Sequence, residues 1–349
     1  MEHGGDLLTY KDKYGGKLID FSSNINPLGV PRGLEKAIMD AFKEVEVYPD
    51  IQYRKLKEAL ANYLDCEKAN ILVGNGAVEI IDNFIMLAER VVLFIPSFSE
   101  YELRAGVHKK EVLVLEYGDD FTIEVDILKK NLKENDLLIL GNPNNPSGLR
   151  IAEETLLEIY ACVQSVKGHL LLDEAFYEFC PKDYDSIELF KDTAYKNVSV
   201  IRAATKFFAL AGIRLGYACG SQGTVEKISS IELPWRINSM ANTAGLTIFK
   251  DTDYIKKSKD YIRRQRDYLF SELEKIKAVK PYTSHTNFIL IKLLDLEEDY
   301  LFEELLKKGI LVRKCSSFKG LGRDHIRVAV KDKKSNDLLI KALKDITKV

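Results

Sequence analysis

Arg202-Ala203-Ala204-Thr205-Lys206-Phe207-Phe208-Ala209-Leu210-Ala211-Gly212-Ile213-Arg214-Leu215-Gly216 joins two short β-type runs and sets one lysine in an apolar stretch, with an arginine eight residues on. A lysine among Phe207, Phe208 and Leu210 is pushed toward its neutral amine, the form that condenses with an aldehyde. Arg214 then stands where it can bind a dianion attached to that aldehyde. Aldehyde plus phosphate in one small molecule describes pyridoxal phosphate. The same residues also fit a lysine snorkelling from a half-buried loop and an arginine paired with a surface carboxylate.

Outward from this stretch, short β-branched runs alternate with helical patterns: Ile71–Val73, Val91–Ile95, Glu111–Leu115, Leu137–Leu140, His169–Asp173, Val198–Ile201 and Leu215–Cys219. Such alternation predicts an α/β sheet covered on both faces, with function at the carboxyl ends of its strands. Residues 1–30 are polar and Gly-rich and end in Asp20-Phe21-Ser22-Ser23-Asn24-Ile25-Asn26-Pro27-Leu28-Gly29, which reads as an arm and not as a core element. Leu34, Ile38, Ala41 and Phe42 fall at helical spacing, and a second helix runs through Leu56, Leu60 and Tyr63. A long charged helix near 251–277 leads to Phe288–Ile291, a helix near 299–308, Ile310–Val312, His325–Val330 and a terminal helix. The expected division is an arm over 1–30, a large domain over 31–250 and a small domain over 251–349.

Composition narrows the class of ligand. The chain has 349 residues, 46% of them hydrophobic, enough for a sizeable core. Lysine plus arginine (51) nearly balances aspartate plus glutamate (53), which offers no basic face for nucleic acid and favours a small ligand. Five scattered cysteines without a Cys-x-x-Cys pair indicate neither a disulfide framework nor a zinc knuckle, so no metal is expected and a reducing cytoplasm fits. Neither a leader nor an apolar run of the roughly 20 residues that span a bilayer is evident, so no membrane association is expected.

Four further stretches accompany Lys206. Leu72-Val73-Gly74-Asn75-Gly76-Ala77-Val78-Glu79 is a strand, a glycine turn and a helix start, so the N–H groups of Ala77 and Val78 can bind phosphate oxygens; an ordinary strand-to-helix turn looks the same. Leu170-Leu171-Leu172-Asp173 ends a buried strand on a carboxylate that can hold a pyridine nitrogen protonated, or that can cap a helix or ligate a metal. Gly141-Asn142-Pro143-Asn144-Asn145-Pro146-Ser147-Gly148 has two X-Pro steps that stiffen the loop, so Asn145 can be aimed at a ring oxygen; a surface turn uses the same residues. Ile95-Pro96-Ser97-Phe98-Ser99-Glu100-Tyr101 carries an aromatic, Phe98, that can stack on a flat ring or pack in the core.

Together and in this order these motifs resemble the fold-type-I pyridoxal-phosphate enzymes of the class I/II aminotransferase family, over almost the whole chain. The resemblance implies a large domain with a mostly parallel seven-stranded sheet and a small C-terminal α/β domain. It also implies pyridoxal 5′-phosphate as cofactor. Lys206 matches the Schiff-base lysine, Asp173 the pyridine partner, Asn145 the ring-hydroxyl partner, and Phe98 the stacking aromatic. Arg214 with the Ala77 and Val78 amides matches the phosphate cup. Tyr48 matches a tyrosine that reaches the cofactor phosphate from the neighbouring subunit, which implies a homodimer with shared sites. Arg327, in His325-Ile326-Arg327-Val328-Ala329, matches the arginine that grips a substrate carboxylate. Closer likeness is to the branch of threonine-phosphate decarboxylases and histidinol-phosphate aminotransferases, with the decarboxylases nearer on His3-Gly4-Gly5, the 21–29 stretch, Pro234-Trp235 with Asn238, and Leu311-Val312-Arg313-Lys314-Cys315. The aminotransferases more often carry an acidic residue at the place of Ile25 and a tyrosine at that of Phe176. On this resemblance the substrate is a small phosphorylated amino acid, with Arg313, His3 and Asn24 joining Arg327 around it and Lys314 a further cation near the phosphate. One departure stands out: many relatives have a hydroxyl three residues before the lysine, where this chain has Ala203, and Thr205 is the residue placed to compensate.

Overall fold

The computed structural model describes residues 4–11, 13–14 and 16–347. Among them the strands are, in chain order, β1 (Ile19–Asp20), β2 (Ile71–Gly74), β3 (Arg90–Ile95), β4 (Glu111–Glu116), β5 (Leu137–Gly141), β6 (His169–Asp173), β7 (Val198–Ala203), β8 (Gly216–Gly220), β9 (Val279–Pro281), β10 (Phe288–Leu293), β11 (Ile310–Leu311), β12 (Arg313–Lys314) and β13 (His325–Ala329). Seven of them form one sheet in the order β2-β8-β7-β6-β5-β3-β4. The β4-β3-β5-β6-β7 run is parallel, and β8 is antiparallel to both β7 and β2. The chain is therefore α/β, as its apolar runs predict, with the mostly parallel seven-stranded sheet that the family resemblance implies.

Those runs are continuous because both faces of the sheet are covered. Leu170 and Leu172 pack on one side with Leu138, Leu140, Val198 and Val200, while Leu171 packs on the other with Leu137, Ile139 and Ile201. Burying each such side chain contributes roughly 1.5–3 kcal/mol against chain entropy. The long helix Thr252–Leu273 starts at Asp251, whose carboxylate accepts from the Tyr254 N–H at 2.9 Å, and buries Ile262, Leu269 and Leu273. A second sheet, β12-β13-β10-β9, is antiparallel throughout. Its register sets Arg313 directly opposite Arg327.

The segment expected to lie outside the core enters it. Phe21 is fully buried in the main apolar cluster, and Ser22, Asn24 and Asn26 are buried as well. β1 pairs in parallel with β11, the Phe21 carbonyl accepts from the Ala329 N–H at 2.8 Å, and the Asn26 N–H donates to the Lys206 carbonyl at 3.1 Å. Backbone hydrogen bonds and polar side chains, which leave no apolar periodicity, hold this segment between the two sheets. No helix among the described residues is long and apolar enough to cross a membrane.

Candidate active site

The carboxyl edge of the large sheet gathers glycines and one carboxylate. Gly74 and Ala203 both stand opposite Gly216, and Gly141 stands beside Asp173. Small residues there leave room above the sheet, and a cavity of about 260 Å³ opens over them. Its lining brings together Ala77, Val78, Phe98, Asn145, Asp173, Thr205, Lys206, Arg214, Arg313, Arg327 and Asn24.

At one end is a cradle for an anion. The helix Ala77–Leu87 begins after Gly76 with no side-chain cap on its first turn, so its leading N–H groups and the positive end of its dipole face the cavity. Arg214 leans over Gly76 so closely that a Cβ there would lie 2.3 Å from its Nη2. Gly76 also has φ near +81°, a conformation that other residues adopt at a cost. A Cβ on Gly216 would lie 2.4 Å from the Ala77 nitrogen. Both glycines thus allow backbone and guanidinium to converge on one point.

Lys206 projects from the short helix Ala204–Phe207, which β7 leads into. Asn26 caps that turn: besides its N–H bond to the Lys206 carbonyl, its Nδ2 donates to the Phe207 carbonyl at 2.8 Å. Burial, followed by the positive charges of Arg327 and Arg214, lowers the Lys206 amine to about 8. Asp173 ends β6; its Oδ2 accepts from the Tyr101 hydroxyl at 2.7 Å and its Oδ1 from the Ala175 N–H at 3.1 Å. Burial raises its pKa, and these two bonds work against that rise.

The proline-rich loop uses its three asparagines differently. Asn142 donates to Glu174 at 3.1 Å and accepts from the Ile151 N–H at 3.0 Å, while Asn144 donates to the Pro96 carbonyl at 3.0 Å. Those two pin the loop. Asn145 alone of the three lines the cavity, where its Oδ1 accepts from Arg327 Nη1. Arg327 also donates to the Ser22 carbonyl at 3.0 Å and lies 5.0 Å from the Phe288 ring. Burial, with Arg313 nearby, lowers its pKa to about 10. Arg313 donates to Ser317 at 2.6 Å and lies 5.2 Å from the Phe318 ring.

Some sequence-derived candidates stand apart. Tyr48 is 77% exposed and rests against Trp235 with ring centroids 4.6 Å apart, away from the cavity of its own chain. Lys314 pairs with Asp299 at 2.9 Å and lines a neighbouring cavity. His3 lies outside the described residues. Ala203, at the place where the resemblance leads to the expectation of a hydroxyl, lines the cavity, and so does Thr205. Sequence reasoning assigned no role to Tyr101, Ala175, Ser22, Ser23 or Phe318, all of which line the cavity. Tyr101 had a usable signal, a polar-tipped ring three residues after Phe98, whereas Phe318 lies in a loop without periodicity.

Comparison with known proteins converges on one family. The model for "Aminotransferase class I and II" matches residues 16–343. The chain belongs to the class I and II aminotransferase family. A Caldanaerobacter subterraneus subsp. tengcongensis protein provisionally named threonine-phosphate decarboxylase is 40% identical over 353 residues, covering 99% of this chain and 94% of that one. Threonine-phosphate decarboxylase of Salmonella typhimurium is 31% identical over 354 residues, covering 99% and 96%. Among solved structures, histidinol-phosphate aminotransferase from Clostridium acetobutylicum superposes with a TM-score of 0.90 at 35% identity, covering 95% of this chain and 99% of that one. Pyridoxal 5′-phosphate is the cofactor of this aminotransferase-family enzyme. The residues present suit it: a lysine near neutrality, a buried carboxylate, a glycine cradle beneath an arginine, and the Phe98 ring share one cavity.

Proposed function

We propose that the enzyme decarboxylates a phosphorylated amino acid, L-threonine O-3-phosphate, releasing CO2 and 1-aminopropan-2-yl phosphate for cobalamin synthesis. The observation that carries this reading is the Arg313–Arg327 pair. Both are buried, both line the cavity, and they stand opposite each other on antiparallel strands. Like charges in that relation repel. A substrate with two anionic ends offsets the repulsion, its carboxylate on Arg327 and its phosphate on Arg313. Asn24 lines the same cavity, and its buried side-chain oxygen has no partner among the described residues. Likeness at 40% and 31% to proteins named as threonine-phosphate decarboxylases supports the same reading. So does Phe176, which lines the cavity without the hydroxyl that aminotransferases of this branch more often carry.

When bound, the cofactor supplies an electron sink. Lys206 would hold its aldehyde carbon, Arg214 with the Ala77 and Val78 amides would hold its phosphate, and Asn145 would serve its ring hydroxyl. Phe98 would stack on the ring, Asp173 would keep the ring nitrogen protonated, and Thr205 would supply the hydroxyl that Ala203 lacks. Arg327 would fix the substrate carboxylate and so set which bond to Cα the bound cofactor weakens. Loss of the carboxylate as CO2 leaves Cα short of one proton, which Lys206, released as a free amine when the substrate amine takes its place, would supply. The active unit is a homodimer in which Tyr48 reaches the partner's cofactor phosphate. A substrate panel on the holoenzyme tests the reading: threonine phosphate alone should yield CO2. Transfer of the amino group from histidinol phosphate to 2-oxoglutarate instead would make the enzyme an aminotransferase, as its likeness to the Clostridium enzyme allows.

A further inference from the structure

Asp173 stands where burial favours the neutral acid, yet a neutral acid would offer the cofactor ring a proton donor instead of the carboxylate that keeps its nitrogen protonated. Two donors oppose that outcome. One is the backbone N–H of Ala175, fixed by the chain. The other is the hydroxyl of Tyr101, which reaches Asp173 Oδ2 at 2.7 Å from the helix Glu100–Val107. Tyr101 is 2% exposed, and its ring meets that of Phe98 edge to face, with centroids 5.6 Å apart and planes at 88°. One side chain therefore touches both protein groups that address the ring, the carboxylate and the stacking aromatic.

We infer that Tyr101 is a positioning residue for the cofactor: its hydroxyl holds the Asp173 carboxylate charged and aimed, and its ring sets the tilt of Phe98. The inference rests on Asp173 being the partner of the ring nitrogen, as proposed above. Each carboxylate oxygen accepts in more than one direction, so the bonds from Tyr101 and Ala175 leave acceptor capacity for the ring N–H. The Tyr101 proton stays in place at working pH. Burial and the charge of Asp173 hold the phenol well above its usual range, and Tyr117, the other titratable neighbour, adds to the rise.

The test compares two ligands that differ only at the ring nitrogen: pyridoxal phosphate and its 1-deaza analogue, in which that nitrogen is a carbon. Affinities are measured by absorbance titration of the cofactor-free full-length chain, so the readout is binding and not turnover. The native chain should prefer pyridoxal phosphate. Tyr101→Phe keeps the ring and removes the hydroxyl, and should shrink that preference about tenfold, the scale of one hydrogen bond to a charged group. Loss of affinity by the same factor for both ligands, with the preference intact, would overturn the inference. Tyr101→Leu carries the same loss of hydroxyl and provides the ratio should the first variant not fold. Asp173→Asn, measured alongside, separates the two claims. If it too leaves the preference intact, the reading of Asp173 fails and the inference falls with it. If it abolishes the preference while Tyr101→Phe retains it, only the inference about Tyr101 fails.

Discussion

Lys206 carries the pH signature of the site. Its amine is lowered to about 8, first by burial and then by Arg327 and Arg214, so it is charged below that pH and neutral above. Capture of pyridoxal phosphate by the cofactor-free chain should accelerate about tenfold per pH unit up to about 8 and then level off. Stopped-flow absorbance follows it; a rise continuing unbroken toward pH 10 would mean that the surroundings leave the amine an ordinary lysine. The paired arginines make a second prediction. A charge-assisted contact contributes roughly 1.5–3 kcal/mol, so each loss should cost about tenfold or more in kcat/KM. Arg313→Ala should impair threonine phosphate far more than threonine, and Arg327→Ala should impair both; equal losses from Arg313→Ala would reduce Arg313 to a structural cation. At this scale the sequence was informative wherever chemistry demands a residue type. The lysine, the strand-end carboxylate and both arginines stand out by kind and place, and all line one cavity. For Tyr101 the spacing after Phe98 offered a polar-tipped ring but not its partner, because the bond to Asp173 joins a helix to a strand far along the chain.

Glycines decide the shape of the anion cradle at the scale of elements. Gly216 opens β8 where it passes the start of the helix Ala77–Leu87, and a Cβ there would meet backbone atoms, the Ala77 nitrogen and the Gly76 carbon, both at 2.4 Å. Backbone cannot rotate away as a side chain can, so Gly216→Ala should displace the first turn of that helix. We expect weaker binding of pyridoxal phosphate, by about tenfold, roughly 1.4 kcal/mol, with far-UV circular dichroism little changed. Native affinity in this variant would show that the first turn does not hold the phosphate. The strands of this sheet were legible because burial on both faces makes them continuous apolar runs, and each run matches a strand to within a few residues. The segment from Asp20 to Asn26 was not. All but Phe21 and Ile25 of its residues are polar, and hydrogen bonds to Lys206, Phe207, Asn287 and Arg327 help bring it inside, a pattern that a hydrophobicity reading assigns to solvent.

A patch of exposed apolar residues marks the whole molecule: Val45, Val47, Tyr48 and Ile51 with Trp235, against which Tyr48 rests. Exposed apolar patches rimmed by polar residues mark association surfaces, and the proposed dimer places this one over the partner's cofactor. Mixing Tyr48→Phe chains with inactive Lys206→Ala chains should raise activity per Lys206-bearing chain above that of Tyr48→Phe alone, through sites that carry both native residues. No recovery after demonstrated exchange of subunits would rule out shared sites. What separates decarboxylation from amino transfer is which substrate bond is held perpendicular to the ring, an angle set by contacts that both reactions share. The decisive measurement therefore follows the carboxyl carbon. L-Threonine O-3-phosphate labelled at its carboxyl carbon is given to the holoenzyme with no oxo acid present. Labelled CO2 should appear in one-to-one yield with 1-aminopropan-2-yl phosphate, turnover after turnover, and adding 2-oxoglutarate should not divert it. Label that stays in the amino acid, or that ends in an oxo acid formed only when 2-oxoglutarate is supplied, would contradict the account.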